Sequence, residues 1–170
     1  EAKDNALASR TDSFLYRGLQ TRLDKKIIIS GDRVSDASVG FDENGVLIFQ
    51  GSFVEDFPEG SGKELRKDGS LLFEGSFIQG TRHDSGKIYF PDGTVQYDGE
   101  FFEGAQHGIG KEYRPDGTLI YEGNWLNGRR DGNGKLLSQE GVKRFEGLFA
   151  KGLIEGKGSE FREDGSLMYQ

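Results

Sequence analysis

A chain of 170 residues with a formal charge of −7 has the length of one ordinary domain, and 27 glycines beside a hydrophobic content of 34% leave little material for a thick core. The absence of cysteine excludes a disulfide framework and a thiolate zinc site, while the acidic total opposes bulk electrostatic binding to nucleic acid or anionic lipid. The longest aliphatic block, Ile27–Ile29, is far too short to span a bilayer.

Taken in chain order, residues 1–13 read as a loose or helical N-terminal segment. Residues 14–48 read as an irregular cap. Tyr16-Arg17-Gly18 and Ile29-Ser30-Gly31 resemble worn starts of a repeat whose spacing does not fit, and Phe41–Ile48 supplies the tail of one more copy. From residue 49 the register is strict. Gly51, Gly75, Gly99, Gly123 and Gly147 are 24 apart, as are Gly62, Gly86, Gly110, Gly134 and Gly158. A third ladder, Gly45, Gly69, Gly93, Gly117, Gly141 and Gly165, keeps the same step. A fixed period of this size marks an array in which each unit buries its apolar face only by stacking on its neighbours. Residues 49–170 therefore hold five 24-residue repeats and the start of a sixth. That unfinished copy marks the chain as a fragment of a longer protein, or leaves a bare strand edge to pair with another molecule.

Each copy opens with period-2 alternation. Val95, Tyr97, Gly99 and Phe101 fall on one face of an extended strand, with Gln96, Asp98 and Glu100 on the other. Leu71, Phe73, Gly75 and Phe77 repeat the pattern, as do Leu119, Tyr121, Gly123 and Trp125; the fifth copy departs with Lys143. A second, short strand is expected around Lys111–Arg114, which makes each repeat one hairpin. Asn127-Gly128-Arg129-Arg130-Asp131-Gly132 has the glycine density of the loop between the two strands. Pro91-Asp92-Gly93 and Pro115-Asp116-Gly117 are turn signals between copies, since Pro presets φ, Asp bonds its own backbone and Gly takes the left-handed position. A glycine between two aromatics lets large rings lie over bare backbone, so the rings take the role of a second layer. Packing of this kind is preferred here to a row of ligand slots. The fold expected is all-β, a single-layer twisted antiparallel sheet of consecutive hairpins, elongated to about 50 Å over five copies.

The residues Tyr121-Glu122-Gly123-Asn124-Trp125, followed by Gly128 and by Gly132-Asn133-Gly134, resemble the MORN repeat (membrane occupation and recognition nexus). His107-Gly108-Ile109-Gly110 matches the His-Gly-x-Gly part of its pattern. Asp56 replaces the loop glycine in the first copy, and Asp84 and Ser85 depart in the second. The resemblance implies a single-layer sheet twisted into a groove, a scaffold for protein contacts and for self-association. Phospholipid binding is also attributed to the family.

His83 and His107, 24 apart, occupy a position filled elsewhere by Glu59, Asp131 and Glu155, which favours a structural or surface role over a metal or acid–base one. No Ser/His/Asp grouping is readable, and the Asp-Gly turns lack the alternating oxygen ligands of calcium loops. Lys63, Lys87, Lys111 and Lys135 form a stripe that could hold phosphate headgroups, but the column Glu74, Asp98, Glu122 and Glu146 makes cross-strand pairing the preferred account. Carbohydrate- or choline-binding repeats depend on several Trp, and this chain has Trp125 alone. The reading is a non-enzymatic, cytoplasmic scaffold, working at membrane or cytoskeletal structures, with no cofactor, no metal and no nucleic-acid partner. Its expected contact surface is an aromatic-lined concave face bearing Phe77, Tyr97, Phe101, Tyr121, Trp125 and Phe149, which grips a helical segment of a partner or a second copy of itself. Peripheral membrane contact through the lysine stripe, and service as the regulatory arm of a larger enzyme, are the alternatives.

Overall fold

A computed structural model describes residues 28–30, 38–42, 44–55 and 57–169. The expectations for residues 1–13 and for Tyr16-Arg17-Gly18 lie outside them. All regular structure among the described residues is β. Two short strands, β1 (Ile28–Ser30) and β2 (Ser38–Phe41), precede five hairpins. These are β3 (Leu47–Val54) with β4 (Phe57–Leu65), β5 (Leu71–Ile78) with β6 (Thr81–Tyr89), and β7 (Val95–Phe102) with β8 (Ala105–Tyr113). Then come β9 (Leu119–Leu126) with β10 (Arg129–Leu137), β11 (Lys143–Ala150) with β12 (Leu153–Phe161), and finally β13 (Leu167–Tyr169). The 13 strands form one antiparallel sheet in sequence order, without a crossover. At about 4.8 Å per strand the sheet runs for about 60 Å.

The expected loop within each hairpin is instead strand. Asn127 and Gly128 alone make the turn, with φ of 49° and 77°, and β10 begins at once with Arg129. Gln79-Gly80, Glu103-Gly104 and Lys151-Gly152 repeat this pair of positive φ angles, the type I′ geometry whose twist matches the flanking strands. The second strand of each copy is accordingly nine residues long rather than four. Its glycines make room for aromatic rings.

The turns between copies form as the sequence implies. Asp92 Oδ1 accepts hydrogen bonds from the Thr94 amide (2.9 Å) and hydroxyl (2.6 Å), and Phe90 N–H donates to Thr94 O at 2.8 Å. Asp68/Ser70, Asp116/Thr118 and Asp164/Ser166 repeat the arrangement. After each such turn one extra residue enters the first strand. Leu65 pairs with Leu71 but Glu64 pairs with Phe73, so Leu72 is bulged beside Phe73 and packs against the rings.

A continuous line of glycines crosses the sheet. Gly62 pairs with Gly75, Gly75 with Gly86, Gly86 with Gly99, and so on to Gly147 with Gly158. Phe49, Phe73, Tyr97, Tyr121 and Phe145 each lie over the glycine pair of their own hairpin. A Cβ at Gly110 would stand 2.3 Å from Tyr97 Oη, and one at Gly86 would stand 2.4 Å from Phe73 Cζ. The second aromatic of each strand meets these rings edge-on: Phe73–Phe101, Tyr97–Trp125 and Tyr121–Phe149 have centroids 5.1 Å apart, all close to perpendicular. Each edge-to-face pair contributes about 1 kcal/mol beyond the area it buries. This herringbone of rings is the core of a one-layer protein.

Candidate interaction surface

Cross-strand pairing sorts the side chains onto two faces. The ring face carries the aromatics and, from the second strands, Glu64, Arg82, Ile88, Gln106, Glu112, Arg130 and Leu136. Phe77, Tyr97, Phe101, Tyr121, Trp125 and Phe149, expected on an open concave surface, are each 7% or less exposed. Neighbouring rings and overlying side chains close that surface. Arg82 bonds Glu64 and places its guanidinium 4.5 Å above the Phe73 ring, while Arg130 bonds Glu112 at 2.6 Å and lies 4.9 Å above Tyr121. In the alternate copies Ile88 and Leu136 take this covering place. The polar tips of the buried rings are spent internally: Tyr97 Oη donates to Glu100 O at 3.0 Å, Tyr121 Oη to Asn124 O at 2.9 Å, and Trp125 Nε1 to Gly110 O at 3.3 Å. Burial pushes the Tyr97 hydroxyl pKa up, and that of Tyr121 up to about 12.

The clasps follow a step of 48, two copies, which a search at 24 passes over. Glu64 and Glu112 recur at that step, and so do Arg66, Arg114 and Arg162. Arg114 donates to Leu119 O and to Leu137 O and Ser138 O of the next hairpin; Arg66 reaches Leu71 O and Tyr89 O in the same way. These arginines join neighbouring copies through main-chain carbonyls that no sequence pattern displays.

The opposite, open face is polar along its middle. Lys63 meets Glu74 at 3.2 Å, Lys87 meets Asp98 at 3.1 Å, Lys111 meets Glu122 at 3.5 Å and Lys135 meets Glu146 at 3.8 Å. Register also sets Glu74 opposite Lys87, Asp98 opposite Lys111 and Glu122 opposite Lys135, so charge alternates across the sheet. The hydrogen bond that Lys87 donates to Asp98 raises the Lys87 pKa, and the one that Lys143 donates to Glu146 lowers that of Glu146. The stripe is thus neutralised residue by residue. Beside it lies a shallow recess of about 620 Å³ lined by Val39, Gln50, Ser61, Lys63, Glu74, Ser76 and Ser85 over Gly51, Gly62 and Gly75.

Beyond the recess, toward the hairpin tips, stands a row of exposed apolar residues, Val54, Ile78, Phe102 and Leu126, each 42–57% exposed. Phe102 lies between the rings of His83 (centroids 5.2 Å apart) and His107 (5.5 Å). Glu59, at the equivalent place, accepts from Gln79 N–H, and Asp131 from Lys151 N–H, tying one hairpin tip to the next. At these two copies the position therefore carries a cap. No cluster of three His, Cys, Asp or Glu able to hold a metal occurs among the described residues, and no helix there is long and apolar enough to cross a membrane.

One glycine pair per hairpin beneath one aromatic, repeated five times, is the arrangement matched by the family model "MORN repeat" at residues 49–71, 73–95, 97–119, 121–142 and 145–167. The chain belongs to the MORN-repeat family. MORN repeats serve in general as protein- or membrane-interaction modules. The MORN chain matches no curated protein. Among solved structures it is similar to "Crystal Structure of TarM", at 17% identity and a TM-score of 0.41, over 74% of this chain and 26% of that one. The MORN chain thus spans about a quarter of that structure.

Proposed function

We propose that this chain is a non-enzymatic MORN scaffold that holds a segment of a partner protein along its open face. One observation carries the reading. The rings fill one face of the sheet with the protein's own side chains, and the other face keeps a glycine-floored recess beside a row of exposed apolar residues. In a one-layer sheet the uncovered face is the available contact area, and an exposed apolar patch rimmed by polar groups marks interaction sites. The six aromatics named from the sequence then act from beneath. They fix the curvature and spacing of the surface, and the contacts themselves come from the opposite side chains. The lysine stripe supports lipid binding less well, because each of its four lysines already has a carboxylate within 4 Å.

Filling the recess tests this. Ser61→Trp and Ser76→Trp point into it, while Arg82→Met alters only the ring face. Partners captured by the wild-type chain from native extract should be lost from the two recess variants and kept by the control, each variant first shown to be folded by circular dichroism. Capture of the same partners by both Trp variants would refute the reading.

A further inference from the structure

We infer that the row Val54, Ile78, Phe102 and Leu126 is the seat of a basic amphipathic helix, an inference that rests on the open-face reading and names its occupant. The four residues hold the same place in consecutive copies, at the end of each first strand and on the open face. Successive members are two strands apart, about 9.6 Å. Residues seven apart on an α-helix are about 10.5 Å apart and lie on nearly the same side. A helix laid along the array can therefore set one apolar side chain between each pair of neighbouring rungs over several heptads. An extended strand matches less well, since its same-face residues recur every 6.6–6.8 Å or so.

Charge selects the sign of the helix. Around the first three rungs stand the exposed Glu55, Glu100 and Glu103, together with Asp84, whose Oδ1 lies 3.0 Å from His83 Nδ1; Arg129 stands opposite Leu126 at the fourth. Among the described residues no Lys or Arg makes an ion pair with any of them. The lysines of this face lie across the recess and are engaged with Glu74, Asp98, Glu122 and Glu146. An apolar row whose rim carries three carboxylates, Glu55, Glu100 and Glu103, without a Lys or Arg partner among the described residues complements a segment with one apolar stripe flanked by Lys or Arg, and repels an acidic one. The same rim disfavours a second copy of this chain in parallel register, which would bring carboxylates to face carboxylates.

The test uses the whole chain and a labelled synthetic peptide of three heptads, Leu on one stripe and Lys elsewhere, followed by fluorescence anisotropy. Saturable binding is expected, weakening as salt rises. A peptide with Glu for each Lys should bind at least about tenfold more weakly, as should the basic peptide to the chain carrying Ile78→Gln with Leu126→Gln. Glu100→Lys with Glu103→Lys should do the same without touching an apolar contact. Absence of saturable binding, equal binding of the acidic peptide, or unchanged affinity in both double variants would overturn the assignment. So would co-sedimentation with anionic phosphatidylserine vesicles in place of peptide binding. If the peptide fails while Ser61→Trp or Ser76→Trp still releases native partners, only the helix is wrong; if neither variant releases anything, the open-face reading falls as well.

Discussion

Tyr121 and Tyr169 hold the same place in the repeat, two copies apart, yet Tyr121 is 0% exposed and Tyr169 is 70% exposed. Phe73, Tyr97 and Phe145, the other residues at that place, are all buried. The residues just before the two tyrosines are of one kind, Leu119-Ile120 and Leu167-Met168. The difference lies in what stands around them: Tyr121 is covered by Trp125 of its own strand, by Arg130 of its hairpin partner and by Phe149 of the next hairpin, whereas Tyr169 stands in β13, which among the described residues pairs only with β12. Burial here is a property of the neighbour and not of the motif, as expected of a quasi-one-dimensional array. Arg162 repeats the lesson. It bonds Ser166 and Leu167 O within its own turn, while Arg114 also clasps the carbonyls of the hairpin beyond.

The comparison breaks most directly by truncating the two tyrosines. Tyr121→Ala should cost about 4 kcal/mol in urea unfolding, and Tyr169→Ala less than about 1 kcal/mol, because only the first leaves a cavity. Equal losses would mean that burial does not propagate from copy to copy. Next in size is Gly99→Ala. Its Cβ would meet Gly110 Cα at 2.5 Å, Ile109 O at 2.7 Å and Tyr97 Oη at 2.6 Å, so backbone must move, at about 3 kcal/mol. Gly93→Ala has open space around its Cβ and a φ of 88°; its cost should be about 1 kcal/mol, from strain alone. A thermal melt in which the two variants shift equally would deny that ring packing requires the glycine line.

A gain is expected at Asp84. Its φ of 54° is the left-handed conformation that glycine supplies at 60, 108, 132 and 156, so Asp84→Gly should stabilise by about 0.5–1 kcal/mol. A destabilised variant would show that the Asp84 contact to His83 outweighs the strain.

The smallest effect concerns the turns, where the two regions should not differ at all. Hydrogen bonds from Ser70, Thr94, Thr118 and Ser166 hold Asp68, Asp92, Asp116 and Asp164 below the usual aspartate pKa. A lowered folded pKa gives stability that is present above the unfolded value, about 3.9, and is lost as pH falls through the folded value. The turns should therefore loosen together in acid, with Asp164 tracking Asp92 and Asp116 in a carboxyl NMR titration, because their partners are two residues away. Divergence of Asp164 would tie even these turns to their neighbours.

Much of the fold was legible because its determinants are local or strictly periodic. The Asp-Gly turns, the strand alternation of Tyr97-Asp98-Gly99-Glu100-Phe101 and the pairing of lysine with acid columns all recur at 24 and bond within reach of their own copy. The hairpin tip was less legible. The glycines of Asn127–Gly132 suggested a loop, but only Asn127 and Gly128 turn, and Gly132 and Gly134 are strand residues that make room for Asn124 and Tyr121. Which face stays exposed was least legible of all. Alternation correctly put the aromatics on one face, but exposure depends on Arg82 and Arg130, which Glu64 and Glu112 of the preceding copy hold over that face at alternate copies.

What the sequence by itself determined is the repeat, the hairpin and the division of side chains between two faces, since period and alternation act through the backbone of one strand and its partner. What only the tertiary structure decided is which face is closed. That outcome arises when rings from successive hairpins meet at right angles over bare glycine backbone, and when Arg82 and Arg130, held by Glu64 and Glu112 of the preceding copy, close above them.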